Sequence, residues 1–462
     1  MLHPNAIPKR KDRVPPRSRK HLSADPLLRT VFERAQALED MRKKDEDYSV
    51  ADAAMSAIAM FSLKDSSLVA FQERRNDHNM KNLYHIRNVP SDTRMREILD
   101  PVSPSSLRPM FNDVLHQLQR GGELKQFVFL EDCYLLSIDG TQHFSSKTVH
   151  CESCLQKKNK KTGEITYSHQ MVGAVLVHPD CKQVIPLAPE PITKQDGDCK
   201  NDCERNASRR LLTQIRDEHP NMKLIVVEDG LASNGPHIQL LKSLHMHFIL
   251  GAKPADHEHL FDQAIEAAEE GRDTSIIWTD PKTGTLCEIN FVENLSLNKS
   301  HPDLLVNFLQ YTEYGPDGHV VKRFSWVTDL PITLENAKEI VRGGRSRWKV
   351  ENETFNTLKN QGYNFEHNYG HGKQNLSTVF AMLMMLTFLL DQAQELSCPL
   401  FKAVHKKYTS RRSVWDHLRS HFRHFRFESM QQLYEVMLSD LARELPVPTY
   451  ASRRREKSLE FG

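Results

Sequence analysis

Two apolar runs stop in the same way, LLSI-Asp139-Gly140 and LIVV-Glu228-Asp229-Gly230. Asp-Gly is a strong turn signal, and a single occurrence needs no further explanation. Two occurrences, at the ends of the two most apolar strand-like runs, place carboxylates at the rim of a sheet. In open sheets flanked by helices that rim is where ligands bind. Side chains alternate along a strand, so Glu228 and Asp229 face opposite ways and only one of them can share a site with Asp139.

A third carboxylate comes from Arg345–Lys359, RSRWKVENETFNTLK. At roughly 100° per residue, Trp348, Glu351, Phe355 and Leu358 fall on one stripe of an amphipathic helix, with Arg347 and Lys359 at its margins and Glu353 on nearly the opposite side. A glutamate inside an inward-facing stripe is costly unless it is paired or binds a metal. An ion pair with Arg347, four residues earlier, is one explanation; a metal is the other. Three acidic groups converging on a sheet edge make a site for hard cations such as Mg²⁺ or Mn²⁺. Two such ions held about 4 Å apart would activate a water or a 3′ hydroxyl and stabilise the leaving oxygen of a phosphodiester, with Arg347 and Lys359 holding phosphate beside them.

The elements that must position these groups can be read from periodicity. From Asp25 to about Gly122 the spacing is helical, in LLRTVFERAQALEDM, VADAAMSAIAMFSL and SSLRPMFNDVLHQL, which predicts a helical DNA-binding domain or a scaffold that packs on the rest of the chain. From Gln126 the pattern turns to strands: FVFLEDCYLLSIDGT, ITYSHQMVGAVLVHP and KQVIPLAPE. A polar helix, NDCERNASRRLLTQIRDE, then leads into KLIVVEDG, GPHIQLLKSLHM and HFILGAK, read as strand, helix and strand. That order predicts a mixed sheet with helices on its faces. Residues 255–342 are β-rich again and too long for a loop, so an inserted β subdomain is expected there. Thr378–Leu390, TVFAMLMMLTFLL, has the length of a buried core helix rather than the ~20 residues of a membrane span.

At 462 residues the chain has room for two or three domains. Its formal net charge is only +2, but Lys9, Arg10, Lys11 and four further basic residues crowd the first 20 positions against Asp12 alone. Such a run is either a solvated tail or a contact to nucleic-acid phosphate. No apolar stretch of a signal peptide accompanies it, which points to a cytosolic address. Eight cysteines in a chain this long do not suggest a disulfide framework.

On the strength of IDGT at Asp139, VVEDG at Asp229, a β-rich insertion and RWKVE at Glu351, the chain resembles the bacterial insertion-sequence DDE transposases. The resemblance runs roughly from Gln126 to Lys373 and implies a ribonuclease H-like catalytic domain, a mixed five-stranded sheet flanked by helices. It implies Asp139, Asp229 and Glu351 as the catalytic triad holding two Mg²⁺ or Mn²⁺, with Arg347 matching the arginine of a Tyr-Arg-Glu-Lys signature that grips DNA. The signature tyrosine position is Gly344 here, and its lysine position is Leu358, with Lys359 one residue later. By the same resemblance a tryptophan of the insertion stacks on a flipped base; Trp326 stands in a similar place, with Trp278 as competitor, although a tryptophan in a β subdomain is most often core.

Two other constellations could bind metal. Cys151 and Cys154, with Cys199 and Cys203, could offer four thiolates to a structural zinc, but the long separation between the pairs exceeds usual finger spacing and favours unrelated free thiols over that alternative. His367 and His371, in GYNFEHNYGHG, would need a helix to ligate together, and the flanking glycines favour a loop that braces the site or approaches DNA. His421, Arg423, His424 and Arg426 form a basic stretch that is either a DNA or subunit contact or a solvated face.

The expected α/β (α+β) architecture is therefore a basic tail (1–24), a helical probable DNA-binding domain (25–125), a ribonuclease H-like domain (126–254 and 343–392) interrupted by the β insertion (255–342), and a helical C-terminal region (393–462). The expected activity is metal-dependent cleavage of transposon ends and strand transfer into target DNA, in a bacterial, nucleoid-associated setting. The partners are double-stranded DNA and, by resemblance, a second copy of the chain on paired ends, with no membrane. The alternatives are a metal-dependent nuclease of the same fold and a domesticated, non-catalytic DNA-binding protein.

Overall fold

The computed structural model describes residues 20–42, 47–197 and 200–439. Lys9, Arg10, Lys11, Cys199 and the C-terminal arginines lie outside the described residues. Eleven strands make one sheet: β1 (Tyr134–Ser146), β2 (Leu155–Lys158), β3 (Ile165–Val177), β4 (Ile185–Pro186), β5 (Glu190–Pro191), β6 (Leu224–Glu228), β7 (His247–Gly251), β8 (Thr274–Thr279), β9 (Leu286–Asn298), β10 (His301–Tyr314) and β11 (Val320–Thr328). The order is β2-β3-β1-β6-β7-β11-β10-β9-β8, and β4 and β5 both pair with β3. β1 is antiparallel to β3 and parallel to β6, and β6 is parallel to β7. The expected mixed, ribonuclease H-like sheet is present, with the broken β4/β5 edge, β3, β1, β6 and β7 as its five positions.

Every residue of β6 is buried, because helices cover both faces of the parallel part. Helices Lys200–Glu218 and Gly235–Ser243 lie on one face, where Ser208 and His237 reach Glu228 of β6. On the other face Phe355 and Met385 pack over Gly173 of β3. KQVIPLAPE yields only the two-residue strands β4 and β5, since Pro186, Pro189 and Pro191 have no N–H to give to a ladder. FVFLED, expected as strand, instead forms 3₁₀ turns at Glu123–Phe127 and Leu130–Asp132, where Glu131 and Asp132 adopt positive φ.

The β-rich segment is not a separate leaf. β11 pairs antiparallel with β7 and β10, so β8–β11 extend the same sheet, with helix Glu258–Glu269 packed on β9.

Helices Ala24–Ala35, Val50–Ser62 and Arg108–Arg120 pack with Leu376–Ser397, and the last of these four is the centre of a shared helical core. Buried Lys64 donates to Asp391 at 2.8 Å, and Asn79 donates to the carbonyls of Phe422 and Phe425, tying the N-terminal helices to the C-terminal ones. Leu376–Ser397 is 22 residues long, more than the sequence pattern suggested, and is long and apolar enough to cross a membrane by length and composition. Its apolar stretch is wholly buried inside the protein, as a core helix requires.

Candidate active site

Asp139 does not end its strand. β1 continues unbroken to Gln142 against β3, where Asp139 lies opposite Gly173, and only the pairing with β6 stops, at Ser137 and Val227. Asp139 and Asp229 each stand two residues beyond that last pair, and both line one cleft. Ser137 shares the face of Asp139 on β1, and its hydroxyl donates to the Arg347 carbonyl at 2.9 Å, clamping the start of the acidic helix onto β1.

Gly173 is required by this clamp. A Cβ there would lie 2.9 Å from the Phe355 ring, so the absence of a side chain lets Phe355 settle on β3 directly across from Asp139. Glu351, one turn before Phe355, is thereby brought against Asp139. Arg347 lies between the two, its Nη1 2.7 Å from Glu351 and 3.5 Å from Asp139. Burial, then the hydrogen bond and charge of Glu351, push the Asp139 carboxyl up to about 7; Arg347 offsets part of this and Glu204 adds to it. The gathered carboxylates, with Arg347 bridging Asp139 and Glu351, are a donor set suited to a divalent cation.

The structure also separates Glu228 from Asp229. Glu228 is buried on the opposite face, 2.6 Å from His237 and accepting from Ser208 at 3.3 Å. Burial works to lower the His237 pKa, but the Glu228 charge and hydrogen bond outweigh it and the net shift is upward. Asp229 is exposed just past β6, where its Oδ1 accepts from Leu231 N at 2.9 Å and holds the turn. Asp139, Glu204, Glu228 and Asp229 line one cleft.

Glu204 was missed from sequence. It lies on the polar helix Lys200–Glu218, and a Cβ on Gly140 would come within 2.8 Å of its carboxylate carbon. The signal that could have found it is Gly140 itself, a glycine in mid-strand that marks the close approach of another group.

The helix phase needs correction at its start. Helix Ala337–Arg345 breaks at Ser346–Arg347, and Val350–Phe355 forms a wide π turn before Asn356–Asn360 resumes α geometry. Phe355 and Leu358 are buried as expected, but Trp348 is 50 % exposed and stacks near the Arg347 guanidinium, 5.4 Å from its ring centre. The extra residue in the turn shifts the phase that a regular helix would have kept.

Trp326 is 5 % exposed, stacked on Phe324, and its indole fills the space where a side chain at Gly344 would be, 2.6 Å from such a Cβ. The glycine in place of the signature tyrosine and the buried tryptophan are thus one packing solution. Lys359 pairs with Glu366 at 2.8 Å. Cys151 and Cys154 lie together, but Cys203 donates to the Gly197 carbonyl instead of joining them, so the expected four-thiolate set is not assembled among the described residues. GYNFEHNYGHG is a loop, with Tyr363, Tyr369 and His371 buried.

A family model for the transposase DDE domain matches residues 139–389, more than half of the chain. The chain belongs to the transposase DDE family. The match begins at Asp139 and takes in Asp229, the strands of the insertion, the acidic helix and most of Leu376–Ser397. Members of this family act on DNA and generally use divalent metal ions. No curated protein matches the chain.

Proposed function

We propose that this transposase cuts phosphodiesters at the ends of a mobile element and joins the freed 3′ hydroxyl to target DNA, with Asp139, Asp229 and Glu351 as the acidic triad. The observation that carries the reading is the meeting of Asp139 and Glu351 across β1 and the acidic helix, with Asp229, just past β6, lining the same cleft as Asp139. Their oxygens would hold Mg²⁺ or Mn²⁺, two ions by family likeness. A bound divalent cation supplies charge neutralisation and a more acidic water or hydroxyl.

Asp139 must release its proton to act as a ligand, and its raised pKa makes that release part of site assembly. Arg347, held between Asp139 and Glu351, is placed to swing its charge to a DNA phosphate once the carboxylates have another partner. Lys359 would reach phosphate by giving up Glu366. Trp348, exposed beside Arg347, offers an aromatic face to a base in a way that buried Trp326 does not. Lys9, Arg10 and Lys11, and the exposed Arg423 and Arg426, are further candidates for backbone contact. Two copies on paired ends would complete the assembly.

The test is cleavage and strand transfer on DNA carrying the element's inverted repeats, with Mg²⁺, comparing wild type with Asp139→Ala, Asp229→Ala and Glu351→Ala. Loss of both steps with end binding kept supports the reading. Cleavage without strand transfer would make the protein a nuclease of the same fold, and undiminished activity in any triad variant would remove that residue from the triad.

A further inference from the structure

A second cluster lies past the other end of β1. Cys151 and Cys154 sit in the β1–β2 connection, His169 on β3, and His371 in the glycine-rich loop after the acidic helix. Their ligand atoms all lie within 4.8 Å of one another. The Cys151 and Cys154 sulfurs are 3.8 Å apart; His169 Nε2 is 3.5 Å from Cys151 and 3.4 Å from Cys154; His371 Nε2 is 3.4 Å from Cys154.

Those four separations match four of the six edges of a tetrahedron around one metal ion. With Zn–S near 2.3 Å and Zn–N near 2.0–2.1 Å, tetrahedral geometry requires about 3.8 Å between two sulfurs and about 3.5 Å between sulfur and nitrogen. Thiol–imidazole hydrogen bonds explain the cluster less well. Both sulfurs converge on His169 Nε2, whose single proton or single lone pair can serve only one of them, whereas one central cation serves all four. Cys154 is fully buried, His169 and His371 nearly so, and Phe144 closes the site with its ring 4.3 Å from that of His371. Two thiolates and two imidazoles in a closed tetrahedron select zinc over the hard cations of the carboxylate site.

We propose that Cys151, Cys154, His169 and His371 form a structural zinc site that staples the β1–β2 connection and β3 to the loop leaving the acidic helix. The staple joins segments that also build the carboxylate site: β1 carries Asp139, β3 carries Gly173 four residues from His169, and the loop continues the helix bearing Glu351. With all four positions taken by protein, zinc here has no opening for substrate and acts by fixing geometry.

Metal analysis of the full-length protein, purified reduced and without chelator, is expected to find about one zinc per chain. Cys154→Ser and His371→Ala should lose it, while Cys203→Ser, Cys133→Ser and Asp139→Ala should keep it. Cobalt exchanged into the wild-type chain should give a thiolate-to-cobalt charge-transfer band, a readout that needs no variant to fold, and His371→Cys should retain metal with a stronger band. Absence of both zinc and the cobalt band, retention of metal by Cys154→Ser, or a Cys151–Cys154 disulfide in the purified protein would overturn the assignment.

Discussion

β1 connects two clusters of opposite chemistry. Around Asp139 the donors are hard oxygens, crowded enough to raise the Asp139 carboxyl and partly open to solvent through Asp229. Beyond Phe144 the donors are sulfur and imidazole, three of the four residues buried, with their ligand atoms all within 4.8 Å of one another. Burial holds the His169 ring down at about 4, the neutral form that a metal ligand needs. The difference shows what each is built for: the first must accept, exchange and release partners during a reaction, and the second must stay closed.

Breaking the open cluster should cost activity more than stability. Asp139→Ala is expected to lower cleavage and strand transfer at least about 10³-fold, the equivalent of several kcal/mol of lost charge stabilisation at ~1.4 kcal/mol per tenfold, measured on end-bearing DNA. Breaking the closed cluster should do the reverse first. Withdrawing zinc with a strong chelator is expected to lower Tm by several degrees, at roughly 2–4 °C per kcal/mol lost, as read by calorimetry.

A third change couples the two. Gly173→Ala pushes a methyl into the Phe355 ring and should destabilise the fold by about 1–3 kcal/mol in denaturant titration, with a loss of activity as the acidic helix shifts. The open cluster should add its own pH response to those of the other shifted groups. Asp139 binds its proton more tightly folded than unfolded, so the metal-free protein is most stabilised by this group at low pH and loses that contribution as pH rises from about 4 through about 7. Asp139→Asn should abolish that decline in thermal melts, and Mg²⁺ affinity of the wild type should rise by up to about tenfold per pH unit below 7. The smallest effect is expected at Glu353, on the far side of the acidic helix from Asp139. Glu353→Gln should leave stability within about 0.5 kcal/mol and keep cleavage intact; loss of cleavage would transfer the ligand role from Glu351.

Much of the open cluster was legible because its signals are local. Apolar runs ending in acids drew attention to Asp139 and Asp229, and helical spacing singled out Glu351 over Glu353. Strand alternation left Glu228 and Asp229 as alternatives, and the Ser208 and His237 contacts separate them. Trp348 was misplaced because a π turn has no simple signature in residue spacing. Glu204 and His169 were invisible for another reason: a lone glutamate in a polar helix and a lone histidine in a strand look ordinary until the sheet brings Gly140 and Cys154 to them.

By itself the sequence determined most of the strands and helices and singled out the acids that the sheet then gathers, since hydrophobic period and turn chemistry act over a few residues. The tertiary structure alone decided the partners of those residues. His371 meets Cys154 across 217 positions, and Phe355 finds Gly173, because a folded sheet joins distant segments by shape and packing that no local spacing encodes.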